Sequence, residues 1–262
     1  MELLLAIPFG LLIGAVVGTV GGGGAILALP VLVYVLDQGA GSASTASLIV
    51  VALGASAGAG TQARDGRLCW RLAITFSVPA ALGAVLGTIA NSEVDPRVLI
   101  LSFVPVMAAA GTITYRRGGE GDPTDPADDP GCPPAISAPA AGSGLAVGAM
   151  TGFFGVGGGF LIVPALTVLL GLTMRRAVAT SLAIITMTGL AALASHLAIG
   201  SEPDWPLTIV LSAAAAVGAV VGSRFGRDLD PRTLAHAFGV VVIAVALFLL
   251  IDVLALGGPP AG

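Results

Sequence analysis

Two stretches of this chain carry nearly the same text. Gly18-Thr-Val-Gly21-Gly22-Gly23-Gly24-Ala-Ile-Leu-Ala-Leu-Pro30 recurs 134 positions later as Gly152-Phe-Phe-Gly155-Val-Gly157-Gly158-Gly159-Phe-Leu-Ile-Val-Pro164. Each is a glycine cluster that interrupts an otherwise unbroken apolar run. A chain that breaks two apolar runs in the same way, once per half, contains an internal repeat. In membrane proteins, paired glycine-interrupted segments point to a binding site.

A membrane setting follows from the composition. Mean hydropathy is +1.00, and charged residues make up only 10% of 262. So few charges do not cover the surface of a soluble chain of this size. Apolar stretches long enough for a hydrocarbon layer of roughly 30 Å recur along the sequence. Segments spanning that layer are helices or strands of a closed barrel, and barrel strands alternate apolar and polar residues. These runs do not alternate, so the expected fold is an all-α polytopic integral membrane protein. All eleven basic residues are Arg. Without a Gly-Lys-Ser/Thr ending there is no Walker-type nucleotide site. Two His and two Cys form neither His-Glu-x-x-His nor Cys-x-x-Cys, so no metal and no cofactor are expected. No nucleic-acid partner is expected either. The start, Met1 to Leu5, lacks the positive region of a cleaved signal peptide and reads as the beginning of the first membrane segment.

In order, the apolar segments are Leu3–Val20, the short Ala25–Leu36, Ser42–Thr61, Leu72–Ala90 and Val98–Tyr115. Gly10, Gly14, Gly18 and Gly22 recur every four residues, which places them on one helix face where a neighbouring backbone can come close. A twelve-residue piece is about 18 Å long as a helix, too short to span alone. Each glycine-broken pair is therefore re-entrant or a tight hairpin of tilted spans; the sequence leaves both open. Residues 116–139 are a Gly-, Pro- and Asp-rich acidic linker that lacks the apolar residues for a core. The second half repeats the plan from residue 140. Gly144, Gly148 and Gly152 share a face, then come the short Phe160–Leu170 and the spans Ala177–Ile199, Leu207–Gly222 and Leu234–Leu256. The domains are then 1–115, the linker 116–139, and 140–262.

The halves align almost without gaps, with Trp70 matching Trp205 and Asp95-Pro96-Arg97 matching Asp230-Pro231-Arg232. Arginine-rich short loops stay cytoplasmic. Arg64, Arg67 and Arg71 mark an early loop of the first half, whereas Arg224, Arg227 and Arg232 mark the following turn of the second. The bias flips, so two inverted-topology repeats of about five helical segments each are expected. Both termini then lie outside, with the linker inside.

These motifs resemble the TauE/SafE sulfite-exporter family of membrane proteins. The resemblance is carried by Gly155-Val-Gly157-Gly158-Gly159-Phe-Leu-Ile-Val-Pro164-Ala-Leu166, by Ala177-Val-Ala-Thr180-Ser181-Leu182, and by their weaker copies in the first half. Ala25 and Ala46 depart from the pattern where the second half has Gly159 and Thr180. The resemblance implies export of sulfite or an organosulfur anion across the cytoplasmic (inner) membrane.

An anion site without mid-span charges is built from partial charges. Broken helices supply backbone N–H groups, and nearby hydroxyls can donate. The substrate-binding candidates are Gly21, Gly22, Gly23, Gly24, Ser44, Thr45, Ser47, Gly155, Gly157, Gly158, Gly159, Thr180 and Ser181. The bland reading is that the glycines permit close packing and the hydroxyls cap helices. Gln62 and His196 occupy equivalent positions and form a gate or proton relay, or else simply meet water near an interface; the sequence favours the second. His236, matched by Leu101, reads as interfacial or packed. Asp37 is a weak candidate for ion coupling, and Pro30 and Pro164 read as structural. Cys69 and Cys132 both fall on the cytoplasmic side, where thiols stay reduced, so no disulfide is expected. Gly54-Ala-Ser56-Ala-Gly58 matches a serine-nucleophile pattern, but within an apolar helix rather than a strand–turn–helix. The leading expectation is therefore a non-enzymatic secondary transporter for a small sulfur-containing anion. The alternatives are uptake or exchange of another anion, or an intramembrane hydrolase using Ser56. The partners are that anion and the lipid bilayer, and a homo-oligomer is left open.

Overall fold

The computed structural model describes residues 2–22, 25–36, 38–91, 96–117, 131–132, 138–154, 159–198 and 203–251. The described residues form helices α1 (Glu2–Val20), α2 (Ala25–Pro30), α3 (Ala40–Arg64), α4 (Trp70–Asn91), α5 (Pro96–Arg117), α6 (Ala138–Phe154), α7 (Gly159–Pro164), α8 (Met174–Ala198), α9 (Trp205–Arg227) and α10 (Pro231–Ile251). Among them, five stretches are long and apolar enough to cross a membrane, namely Ser42–Arg64, Trp70–Ile89, Met174–Ala194, Trp205–Arg227 and Pro231–Ile251. Large apolar side chains face outward along them, including Leu82, Val85, Leu86 and Ile89 on α4 and Val217, Val221 and Phe225 on α9. Such a surface is satisfied by lipid and not by water. The chain is a multi-pass membrane protein.

The four-residue glycine spacing does what it predicts. Gly10, Gly14 and Gly18 of α1 press on the backbone of α9 at Leu211, Ala215 and Ala219; any Cβ there would collide with those carbonyls. Gly218 and Gly222 of α9 return the contact onto Leu11 and Ala15. The second half repeats this pattern. Gly144, Gly148 and Gly152 of α6 press on α4 at Phe76, Ala80 and Ala84, while Gly83 and Gly87 return onto Leu145 and Ala149. Both pairs run parallel. Lipid tails are as apolar as leucine, so such interfaces are held by close van der Waals packing and short backbone approaches.

The partners, however, are exchanged. The first helix of each half packs on the fourth helix of the other half, α1 on α9 and α6 on α4. The middle helices cross between halves as well. Gly58 of α3 meets Leu182 of α8, and Gly189 of α8 meets Ala52 of α3, so these two run antiparallel. Gly111 of α5 lies against Ile243 and Gly239 of α10. His236, exposed in the first turns of α10, stacks its ring on Tyr115 with centroids 4.3 Å apart.

Short helices α2 and α7 end in the same way. Each reaches its proline and continues as a single π-helical turn, Val31–Val35 after Pro30 and Ala165–Leu169 after Pro164. The closing bonds match across the halves, Leu36 N–H to Val31 O at 3.0 Å and Leu170 N–H to Ala165 O at 3.2 Å. Proline brings no N–H to the ladder and crowds the preceding turn, and a widened turn absorbs that strain. Pro30 and Pro164 are structural at this level.

One end of the bundle collects the arginines. Arg227 at the end of α9 lies 3.5 Å from Asp65 at the end of α3. Arg175 at the start of α8 donates to Leu229 O at 3.1 Å. Arg176 reaches Cys69, at the entry to α4, and Cys132. These two cysteines are joined by a disulfide with Cα atoms 5.6 Å apart, against the expectation of free thiols. That expectation rested on compartment; what it did not include is proximity, since the fold brings residues 63 positions apart within the reach of a disulfide. Trp205 opens α9 at the opposite end, half exposed, as Trp70 opens α4 at the arginine end. The 23 residues of α9 put those ends about 33 Å apart, which is a bilayer's hydrocarbon thickness. Aromatic rings at such positions sit at the headgroup level.

Candidate functional site

The glycine breaks meet each other. Gly22, just past α1, lies backbone to backbone with Gly159 at the start of α7. A Cβ on Gly22 would overlap the Gly159 carbonyl, and a Cβ on Gly159 would lie 3.0 Å from Gly22 O. Gly21 is held by two separate constraints. Its φ of +81° is left-handed, which favours glycine, and its missing side chain leaves room for Ser181, whose Oγ would stand 2.5 Å from a Cβ. Four of the predicted residues, Gly21, Gly22, Gly159 and Ser181, are therefore brought to one place. Gly23, Gly24, Gly155, Gly157, Gly158 and Asp37 lie outside the described residues.

The predicted hydroxyls are largely engaged. Ser181 donates to Val178 O at 2.9 Å and Ser47 to Ser44 O at 2.8 Å. Thr180, fully buried, accepts the Cys69 N–H at 3.3 Å. It therefore anchors the entry to α4. Thr45 is fully buried and Ser44 half-buried, and both are hydrogen-bonded or otherwise paired.

A different pair of hydroxyls stands out. Ser77 on α4 and Ser212 on α9 are 6% and 3% exposed, and neither Oγ has a hydrogen-bond partner. Leaving a buried hydroxyl unpaired costs about 1–3 kcal/mol; Thr114, Thr173 and Thr208 are likewise unpaired, but only the two serines match across the repeat. They occupy equivalent positions under the same register that matches Trp70 to Trp205. The reading of the sequence missed them because a lone serine inside an apolar span gives no local signal. Their recurrence across the repeat is the signal that finds them.

Gln62 is not where water would meet it. It is 4% exposed and its Oε1 has no partner, although Arg64 and Asp65 just beyond it are exposed. His196 lies within α8, but its side chain falls outside the described residues. Ser56 sits on the exposed side of α3 and donates to Leu53 O at 2.8 Å. A helical serine bonded to its own backbone is not an exposed nucleophile on a strained turn.

A cleft of about 450 Å³ opens between α4 and α8 over α6. It is largely apolar, and its threonines do not offer donors. Thr88, Thr151 and Thr188 each donate to the carbonyl one turn back, Ala84 O, Val147 O and Ile184 O. A hydroxyl so engaged turns its methyl outward. In the other half α3 approaches α9 at Gly54, where a Cβ would lie 3.7 Å from Ala215 O.

The arginine end is strongly cationic. Burial lowers the pKa of Arg67, Asp65 opposes this, and the neighbouring charges of Arg175 and Arg227 lower it further. Arginine's ordinary value is high enough that the group stays charged. The Nε of Arg175 is buried without a partner.

Known proteins share this sequence along its length. A family profile described as "Sulfite exporter TauE/SafE" matches residues 6–249. A probable membrane transporter protein of Xylella fastidiosa (strain 9a5c) is 32% identical over 257 residues, covering 95% of each chain. Probable membrane transporter proteins of Methanocaldococcus jannaschii and Bacillus subtilis are 23% and 24% identical, over 95% and 96% of this chain and 97% and 98% of their own. No solved structure matches. Paired glycine breaks, an apolar multi-pass bundle and a match over both halves converge on one conclusion: the chain belongs to the TauE/SafE sulfite exporter family of membrane transporters.

Proposed function

We propose that the protein is a secondary transporter that exports sulfite or a related small sulfur-containing anion, such as an organosulfonate, across the cytoplasmic membrane. The observation that carries this reading is the meeting of the two glycine breaks, Gly22 against Gly159, inside the bundle. At such a crossing the first N–H groups of α2 and α7 have no partner within their own helices. A desolvated anion can be held there without a buried cation, whose insertion would cost roughly 2.5–3.5 kcal/mol. Ser77 and Ser212, buried hydroxyls without a partner that recur across the repeat, are offered as further donors to the anion.

The arginine end is the cytoplasmic face by the charge rule, which places residues 116–139 inside and both termini outside. Helix pairing with exchanged partners supports two inverted repeats around an axis in the membrane plane. The inside-negative potential favours anion exit by about 2.3 kcal/mol per charge per 100 mV, so export proceeds without nucleotide hydrolysis.

The test is flux from proteoliposomes loaded with sulfite, sulfate, thiosulfate or a sulfonate under an imposed potential, with and without a pH gradient. Selective, potential-driven exit of one sulfur anion is expected, and Gly22→Leu and Gly159→Leu should abolish it in protein that still inserts. Absence of exit for all four anions from folded protein refutes the substrate class. Inward or exchange-only movement would make the protein an importer or exchanger.

A further inference from the structure

We propose that the Cys69–Cys132 disulfide is a reaction site for small anionic sulfur nucleophiles of the sulfite class, which open it reversibly at the Cys132 sulfur. This inference takes its nucleophile from the transport reading above, but its chemistry stands on the cluster itself. The disulfide lies at the arginine end of the bundle, where an exported anion would arrive. Its two sulfurs are not equivalent. Cys132 is exposed, whereas Cys69 is 3% exposed. Nη1 of Arg176 stands 3.3 Å from the Cys132 sulfur and 4.0 Å from the Cys69 sulfur. The Cys69 backbone is fixed by its N–H bond to Thr180 Oγ1.

That arrangement fits each stage of a sulfur–sulfur exchange. Arg176 at the disulfide, with Arg67, Arg175 and Arg227 at the same end, draws an anion there against Asp65, Asp228 and Asp230 among the described residues and against Asp128 and Asp129, which precede Cys132 in the chain; a cation beside the reacting sulfur raises encounter rates. The sulfur lone pair of sulfite attacks the reachable sulfur, that of Cys132. A new sulfur–sulfur bond forms to the sulfite sulfur as the Cys69–Cys132 bond breaks, and the bonding pair leaves on Cys69. The products are an S-sulfonate on Cys132 and a thiolate on Cys69. Charge and electrons balance without a further oxidant or reductant. Both product anions remain beside the same guanidinium, which stabilises a leaving thiolate. Attack of that thiolate on the S-sulfonate expels sulfite and restores the disulfide. While the adduct persists, the covalent tie between Cys132 and the entry to α4 is cut.

The experiment uses the full chain, purified without reductant and incubated with sulfite at neutral pH. It is followed by intact mass, by peptide mapping and by alkylation of freed thiol. The expected result is one sulfite equivalent on Cys132 with Cys69 alkylatable, formed about tenfold more slowly in Arg176→Gln. The rate of opening by a neutral thiol should be insensitive to that substitution. The Cys132→Ser chain should take up none. Any of four results overturns the proposal: no disulfide in the starting protein, adduct formation only after denaturation, the adduct on Cys69, or equal rates in Arg176→Gln. Sulfite flux in proteoliposomes is measured in parallel. An adduct without flux sinks the transport reading and leaves this one standing; flux without an adduct does the reverse.

Discussion

Gly22→Ala adds a single methyl group at the place where the glycine breaks cross. The new Cβ would fall within the Gly159 carbonyl group, with the Phe160 nitrogen 2.8 Å away. All three neighbouring atoms are backbone, so no side chain can rotate aside, and the segment just past α1 and the start of α7 must part. Overpacking of this kind costs about 1–3 kcal/mol. The reverse substitution across the same contact is gentler. Gly159→Ala would place its Cβ 3.0 and 3.1 Å from Gly22 atoms and 3.1 Å from Ile185 Cδ1, and the isoleucine can yield. Gly60→Ala is the control, because that position on α3 has nothing within 4 Å and gains helix propensity, roughly 0.5–1 kcal/mol. Unfolding in mixed micelles, followed by circular dichroism, should rank the chains Gly60→Ala, native, Gly159→Ala, Gly22→Ala from most to least stable. A Gly22→Ala chain as stable as the native one would show that the two backbones are not in contact, and the candidate site would lose its centre.

Three further outcomes separate packing from transport. Ser77→Ala and Ser212→Ala should leave stability unchanged or raise it by about 1 kcal/mol, since each removes an unpaired buried hydroxyl; if they donate to the anion, both should raise the KM for flux. Thr180→Val strands the Cys69 N–H and should cost about 1–3 kcal/mol in the same unfolding assay, whereas Thr180→Ser keeps the acceptor and most of the stability. His236→Ala removes the stack on Tyr115, worth about 0.5–1.5 kcal/mol, and should leave flux per folded molecule unchanged.

Local pattern made much of this architecture legible. The spacing of Gly10, Gly14 and Gly18 announces a helix face for close approach, and those residues are pressed on a neighbouring backbone. The repeated text around Pro30 and Pro164 announces equivalent segments, and both end in the same widened turn. What the spacing does not encode is the partner. Nothing near Gly14 in the sequence indicates that it meets Ala215 rather than a helix of its own half. The disulfide was hidden for the same reason, since Cys69 and Cys132 share no motif. Thr180 and Ser181 look alike in sequence, yet consecutive helical residues point about 100° apart. One therefore latches the entry to α4 and the other packs under Gly21. Burial of Gln62 likewise depends on which neighbours pack against its side chain.

The exchanged helix pairs also set a schedule for biogenesis. A ribosome adds roughly 5–20 residues per second. The partner of α4 is α6, complete some 60 residues after α4 itself, so this interface can close within about 3–13 s. The partner of α1 is α9, complete some 200 residues after α1, which leaves the glycine face of the first helix waiting in the bilayer for about 10–40 s. During that interval α4 can pair with the incoming α6 and then with α8. Assembly is therefore expected to begin in the middle of the chain and to capture its N-terminal helix late, shortly before α10 closes on α5.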